Sequence, residues 1–158
     1  QDRNPAQADY FRAVAAFFSL PANEVAILGD WEIQSEEIAV VLFVARRAGV
    51  SPEALVALRS SGQSWSALVD RYRVTPSALH VPIGDDAPAG SLSEAYDQFR
   101  ATPVSEWREI ELDDDDIVGL VNVRVISQAL AVSPEAVLVR TDSVDSFVQL
   151  FAMLSRQD

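Results

Sequence analysis

The five residues V-S-P-E-A occur twice in this chain, at positions 50–54 and 132–136, 82 positions apart. Each copy follows an apolar stretch, 38–48 in the first case and 117–131 in the second. Downstream, Arg59 pairs with Arg140, Ser64-Trp65 with Ser146-Phe147, and Leu68 with Leu150, with a one-residue length difference between the arginine and the serine. Self-similarity at a fixed spacing marks repeated supersecondary units, each of which buries its apolar face on a neighbour. The expectation is an all-α fold in which two related multi-helix units pack into one domain over residues 1–158. Unit one covers about 21–81 and unit two about 103–155, with a linker at about 82–90 that is marked by Pro82, Gly84, Pro88 and Gly90.

Local signals divide the chain into helices. Asn4-Pro5 places a cap and a first-turn proline before Tyr10, Phe11, Val14, Phe17 and Phe18, which recur at helical spacing as far as Leu20. Pro21 opens a short helix ending at Gly29. The next body, I-A-V-V-L-F-V-A, is apolar on every side and would suit a buried strand. Ser35 as a cap, Glu36-Glu37 at the start, Arg46-Arg47 in the last turn and Gly49 beyond it favour a helix, which must then be central. Ser51-Pro52 starts a helix that Gly62 ends; Ser64 caps one carrying Trp65, Leu68, Val69 and Tyr72; Thr75-Pro76 starts one cut short by Pro82. Ser91-Leu92-Ser93-Glu94 has the form of a capping box for a helix over 92–101, which Thr102-Pro103 breaks. A long helix follows Asp113–Asp116 to about Ala131, then a short one from Ser133-Pro134 past Arg140, and a last one through Phe147, Leu150, Phe151 and Leu154. Val14, Phe17, Leu42, Val44, Trp65, Leu68, Val121, Val125, Phe147 and Leu150 are the expected core.

Composition removes several kinds of chemistry. Without cysteine there is no disulfide, thiolate zinc site or cysteine nucleophile, and the single His80 leaves no paired-histidine metal motif. A net charge of −12 repels nucleic acid phosphates and anionic membranes and favours cationic partners or divalent cations. The longest apolar run, 38–45, falls far short of the roughly 20 residues of a membrane span. The chain starts at Gln1, which fits either a cleaved export signal or trimming; the expected location is periplasmic or secreted.

Four groups of residues offer a function beside a structural role. Asp113, Asp114, Asp115 and Asp116 join Glu106, Glu109 and Glu111 in an acidic run that suits calcium or a cationic partner. The spacing lacks the glycine of a calcium loop, and acids at a helix start are stabilised by its dipole, so the structural role is preferred. His80 has no nucleophile signature beside it. Trp65 and Phe147 read as wedges between helices, while Trp31 and Trp107 lie in connecting segments and could line a pocket. Arg59 and Arg140 could bind an anion, but near a helix end they also complement its dipole. The stretch from Ser64 to His80 has the outline of a helix-turn-helix, though its second helix offers only Ser77 and His80 for base contacts.

The phrases E-E-I-A-V-V-L-F-V-A-R-R-A-G-V-S-P-E-A-L-V-A-L-R-S-S-G-Q-S-W and L-V-N-V-R-V-I-S-Q-A-L-A-V-S-P-E-A-V resemble those of a group of uncharacterised bacterial proteins, many of them exported, from about Pro21 to Leu154. The resemblance implies a repeated all-helical unit and assigns no activity. The reading that follows is a non-enzymatic helical binding or scaffolding module with an unidentified protein partner, cationic by charge, and with self-association left open. No residue is assigned as catalytic, metal-ligating or cofactor-binding, and no cofactor is expected. The alternatives are a helix-turn-helix DNA-binding regulator using Ser64 to His80, and an enzyme of unidentified reaction.

Overall fold

A computed structural model describes residues 5–28, 30 and 33–156. These residues form an all-α fold of ten α-helices and three 3₁₀ segments, with no strand among them. The helices are α1 Pro5–Phe17, α2 Ala22–Leu28, α3 Glu37–Ala48, α4 Pro52–Ser60, α5 Trp65–Arg71, α6 Pro76–Leu79, α7 Ser93–Ala101, α8 Asp114–Leu130, α9 Pro134–Leu138 and α10 Phe147–Ser155. The 3₁₀ segments are Gly90–Leu92, Val104–Glu109 and Thr141–Ser143. Asn4, Gly29 and Trp31, which the sequence marks as a cap, a helix end and a pocket candidate, lie outside the described residues.

The apolar run 38–45 is helical and buried throughout, as a helix with no polar face requires. It packs against α8, whose residues 117–123 are likewise all buried. Helix α1 packs against α8 and α10. Eight of the ten expected core residues are buried; Phe17 and Phe147 pack on the core with one edge still exposed.

The two V-S-P-E-A segments share their local geometry. Gly49 and Ala131, which close the preceding long helices, both take the left-handed conformation. Ser51 and Ser133 then accept the N–H of Ala54 and Ala136, each at 3.1 Å, with Pro52 and Pro134 at the first helical position. Ser64 and Ser146 cap α5 and α10 through Ala67 N–H (3.0 Å) and Gln149 N–H (3.1 Å). Every one of these correspondences has the same offset of 82 positions.

Several local expectations differ from the structure. Ser35 does not cap α3: the residue before the helix is Glu36, already in αR, and the Ser35 hydroxyl accepts a bond from Gln7 instead. The capping box at 91–94 does not form. Gly90 (φ 53°) turns the chain into a 3₁₀ segment, α7 starts only at Ser93, and the Ser93 hydroxyl donates back to Gly90 O at 2.7 Å. The box forms instead at Asp113 and Asp116, which accept each other's backbone N–H at 2.8 and 3.2 Å. Helix α1 ends at Phe17 because Ser19 is left-handed (φ 57°). Helix α9 stops at Leu138, where the Thr141 hydroxyl donates to the Leu138 carbonyl at 2.7 Å.

Candidate functional site

Two adjacent glutamates at the start of α3 organise the polar interior. Glu37 is buried and its Oε1 accepts both Arg59 Nε and the indole N–H of Trp65, each at 2.9 Å. Arg59 also donates from Nη1 to Gln63 O (3.1 Å), lies 3.3 Å from Asp114 Oδ2, and sets its guanidinium carbon 5.6 Å from the centre of the Trp65 ring. Asp114 completes the cluster by accepting Ser66 N–H at 3.0 Å, so α3, α4, α5 and α8 meet in one knot of two carboxylates around a guanidinium. Breaking such a knot leaves a charge stranded, whereas the intact set satisfies its own donors and acceptors.

Glu36 points the other way. Its Oε1 accepts the Phe147 N–H at 2.7 Å, the first turn of α10, and its backbone carbonyl accepts Asn122 Nδ2 at 3.0 Å. Asn122 is fully buried in α8; it also donates to Val118 O at 2.9 Å and accepts the hydroxyl of the equally buried Tyr10. Burial, and then the Glu36 charge, hold the Tyr10 hydroxyl well above its ordinary pKa.

Above this second network lies a cavity of about 260 Å³. Leu92, Val118 and Thr141 are its buried floor, Val144 and Phe147 its half-buried wall, and Asp115 and Asp145 stand exposed at its mouth beside Ser91 and Ser146. Three carboxylates, those of Glu36, Asp115 and Asp145, border it and no basic side chain does. The Glu36 carboxyl is pushed up, first by burial and then by the charges of Glu37 and Asp115, against the lowering effect of its bond to Phe147 N–H. Arg140 does not line the cavity and forms no ion pair among the described residues. The offset of 82 places Thr141 at the position of Arg59, with Arg140, its partner across the one-residue length difference, next to it.

The four consecutive aspartates divide their labour. Asp113 and Asp116 form the capping box, Asp114 joins Arg59 and Ser66, and Asp115 borders the cavity. Asp116 is pushed up to about 6, chiefly by burial and then by Asp113 and Asp115. No three Asp, Glu or His side chains among the described residues are disposed to hold one metal ion.

His80 and Trp107, far apart in sequence, come together. The imidazole lies 4.5 Å from the Trp107 ring and 4.6 Å from that of Phe99 (centre to centre), with Tyr96 at 5.8 Å. Burial, then Arg124, lower the His80 pKa. The Trp107 indole N–H is spent on Phe99 O and Thr102 O, so it closes the chain after α7. In the helix-turn-helix outline the second helix, α6, has four residues, and its carboxyl end is bound by Arg124 through Ala78 O (3.1 Å) and His80 O (2.8 Å).

Sequence reasoning missed Glu36, Glu37, Asn122 and Tyr10 as linked residues. A signal existed for the first three: an acidic pair opening an all-apolar helix, and a lone asparagine inside the run I-V-G-L-V-N-V. Comparison of the chain with protein-family models, curated proteins and solved structures gives no match in any of the three.

Proposed function

We propose that this protein is a non-enzymatic helical binding module that takes a cationic group of a protein partner into the cavity bordered by Glu36, Asp115 and Asp145. The observation that carries this reading is the cavity lining: three carboxylates over an apolar floor, with no cation among the lining residues. A concave site with convergent polar groups is the expected form of a binding pocket, and an excess of one charge in it recruits the other. The shared local geometry at the two V-S-P-E-A segments supports a further proposal, that the chain arose by duplication of one helical unit. Exported, bacterial origin is proposed on the resemblance alone. Among the described residues no helix is long and apolar enough to cross a membrane.

The test is calorimetric titration with a basic peptide at low and moderate salt. Binding should weaken as salt rises and should fall at least several-fold in the double variant Glu36→Gln with Asp115→Asn. The amide introduced by Glu36→Gln keeps an oxygen to accept the Phe147 N–H, so the charge is removed without loosening α10. Binding that survives that variant, or none at all, removes the reading. The DNA-binding alternative rests on α6, which is short, tied down by Arg124, and part of a chain of net charge −12; tight, salt-sensitive binding to duplex DNA, lost on mutating Ser77 and His80, would restore it.

A further inference from the structure

We propose that the cavity is a guanidinium site, filled by an arginine side chain of a partner protein in the place that Arg59 fills from within the chain at the first V-S-P-E-A segment. This inference rests on the binding role proposed above and narrows it to one chemical class.

Serine caps, first-turn prolines and the left-handed closures at Gly49 and Ala131 match at a constant offset of 82, which pairs the positions between them by sequence, although α9 ends at Leu138 and Val144 is extended where Gly62 is left-handed. In the first segment Arg59 reaches Glu37, Gln63 O and Asp114 and covers the Trp65 ring. In the second, Phe147 stands for Trp65, and Phe147 lines the cavity. Thr141 stands for Arg59; its hydroxyl is turned onto Leu138 O (2.7 Å) and Ser91 N–H (2.9 Å), so it supplies no charge.

Carboxylates surround the second ring too, but from other positions, for the offset puts Gly119 where Glu37 stands. In the first segment Asp114, from the first turn of α8, accepts the Ser66 N–H at the start of α5. In the second, Glu36, the cap residue of α3, accepts the Phe147 N–H at the start of α10. Each long helix thus sends a carboxylate to the aromatic-led helix of the other half. Asp145 stands where Gln63 does, and Asp115 adds a third charge. The second site therefore has a ring and carboxylates of its own, and no cation among its lining residues to match Arg59 in the first.

A guanidinium suits this lining better than an ammonium. Its planar, delocalised charge is weakly hydrated, stacks on an aromatic face, and offers forked donors to carboxylates set apart from one another. The apolar floor of Leu92 and Val118 accommodates the methylene stem.

The experiment compares n-butylguanidinium with n-butylammonium, both as chlorides at equal ionic strength, titrated into the whole protein and followed by NMR chemical shifts. Saturable binding of the guanidinium about tenfold tighter than the ammonium, the effect of one further charge-assisted bond, is expected. It should weaken in Asp115→Asn, a solvent-exposed site whose change leaves the fold intact, and in Phe147→Leu, which removes the ring but keeps the N–H bonded to Glu36. Equal affinity for both cations overturns the guanidinium assignment and leaves the cationic cleft standing. Guanidinium binding indifferent to Asp115→Asn places the ligand elsewhere and overturns the assignment as well. Binding of neither cation sinks both this inference and the reading on which it rests.

Discussion

At the scale of residues, two neighbouring glutamates hold opposite halves of the molecule: Glu37 faces Arg59 and Trp65, Glu36 faces Phe147. Removing Glu37 strands Arg59 and the indole N–H, so Glu37→Ala should cost about 3 kcal/mol in urea unfolding, within the range for one partner of a largely buried pair. Arg59→Met, which keeps the stem over Trp65, should cost about as much for the same reason. Near-neutral values for both would show the knot to be ornamental to stability. Asp116 makes a prediction about pH. Its folded-state pKa of about 6 lies above the ordinary 3.8, so the folded chain binds this proton before the unfolded chain does. Its contribution therefore adds stability as pH falls through about 6, is complete below 3.8, and is lost as pH rises through 6. Glu36 is shifted in the same direction. The melting temperature should rise on acidification from neutral pH towards about 5, and Asp116→Asn should shrink that rise. An unchanged pH slope in the variant would assign the effect wholly to relief of the net charge of −12.

At the scale of elements, five helix ends close by one device. At Ser19, Gly49, Gly62, Arg73 and Ala131 the backbone takes positive φ. The following N–H then reaches back to a carbonyl one turn earlier, as in Leu20 N–H to Ala15 O (2.9 Å) and Val74 N–H to Val69 O (2.8 Å). Only two of these five positions carry glycine. Ala131→Gly should therefore stabilise the protein by about 0.5–1 kcal/mol, and Gly49→Ala should destabilise it by about 1 kcal/mol. Opposite signs in thermal or urea unfolding would refute the account of these closures. The same point explains what the sequence made legible. Serine caps at 51, 64, 133 and 146, each followed by a helix, were readable because the capping bond is local. The end of α1 was not, because nothing about serine at position 19 announces a left-handed turn. The absence of the capping box at 91–94 has a non-local side: Gly90, which opens the 3₁₀ turn there, lies so close to Leu138 O and Thr141 Oγ1 that an added Cβ would meet both at 2.2 Å. That contact, made 48 positions away at Leu138, decides the local geometry. The cavity was illegible in the same way, since its lining comes from four separate stretches of chain.

At the scale of the molecule, α3 and α8 form the shared centre, and each is apolar over most of its surface. Helix α3 lies before the loop at 80–89 and α8 after it, so each buries apolar surface on a helix from the other side of that loop. Fragments 1–86 and 87–158, made separately, should each show little cooperative unfolding, and mixing them should recover the helical circular dichroism of the intact chain. A fragment that unfolds cooperatively alone would mean that the halves are independent. Of the whole, the all-α class and the central position of 38–45 were readable from pattern alone, because a helix with no polar face has only one place to go. The way each half caps a helix of the other was not, since it depends on which acid meets which helix start in space.

The segment 82–90, rich in proline, glycine and aspartate, reads as a slack hinge, yet it is gripped from both sides. Glu135 accepts the Gly84 N–H at 2.9 Å, and Arg100 donates to Gly84 O and Ala87 O at 3.1 and 2.9 Å. A protease must draw a stretch of backbone out into its cleft before it can cut, and here that means first releasing bonds to α7 and α9. The loop that composition offers as the obvious place to nick the chain is therefore among its slower substrates, and limited digestion of the native protein should begin elsewhere.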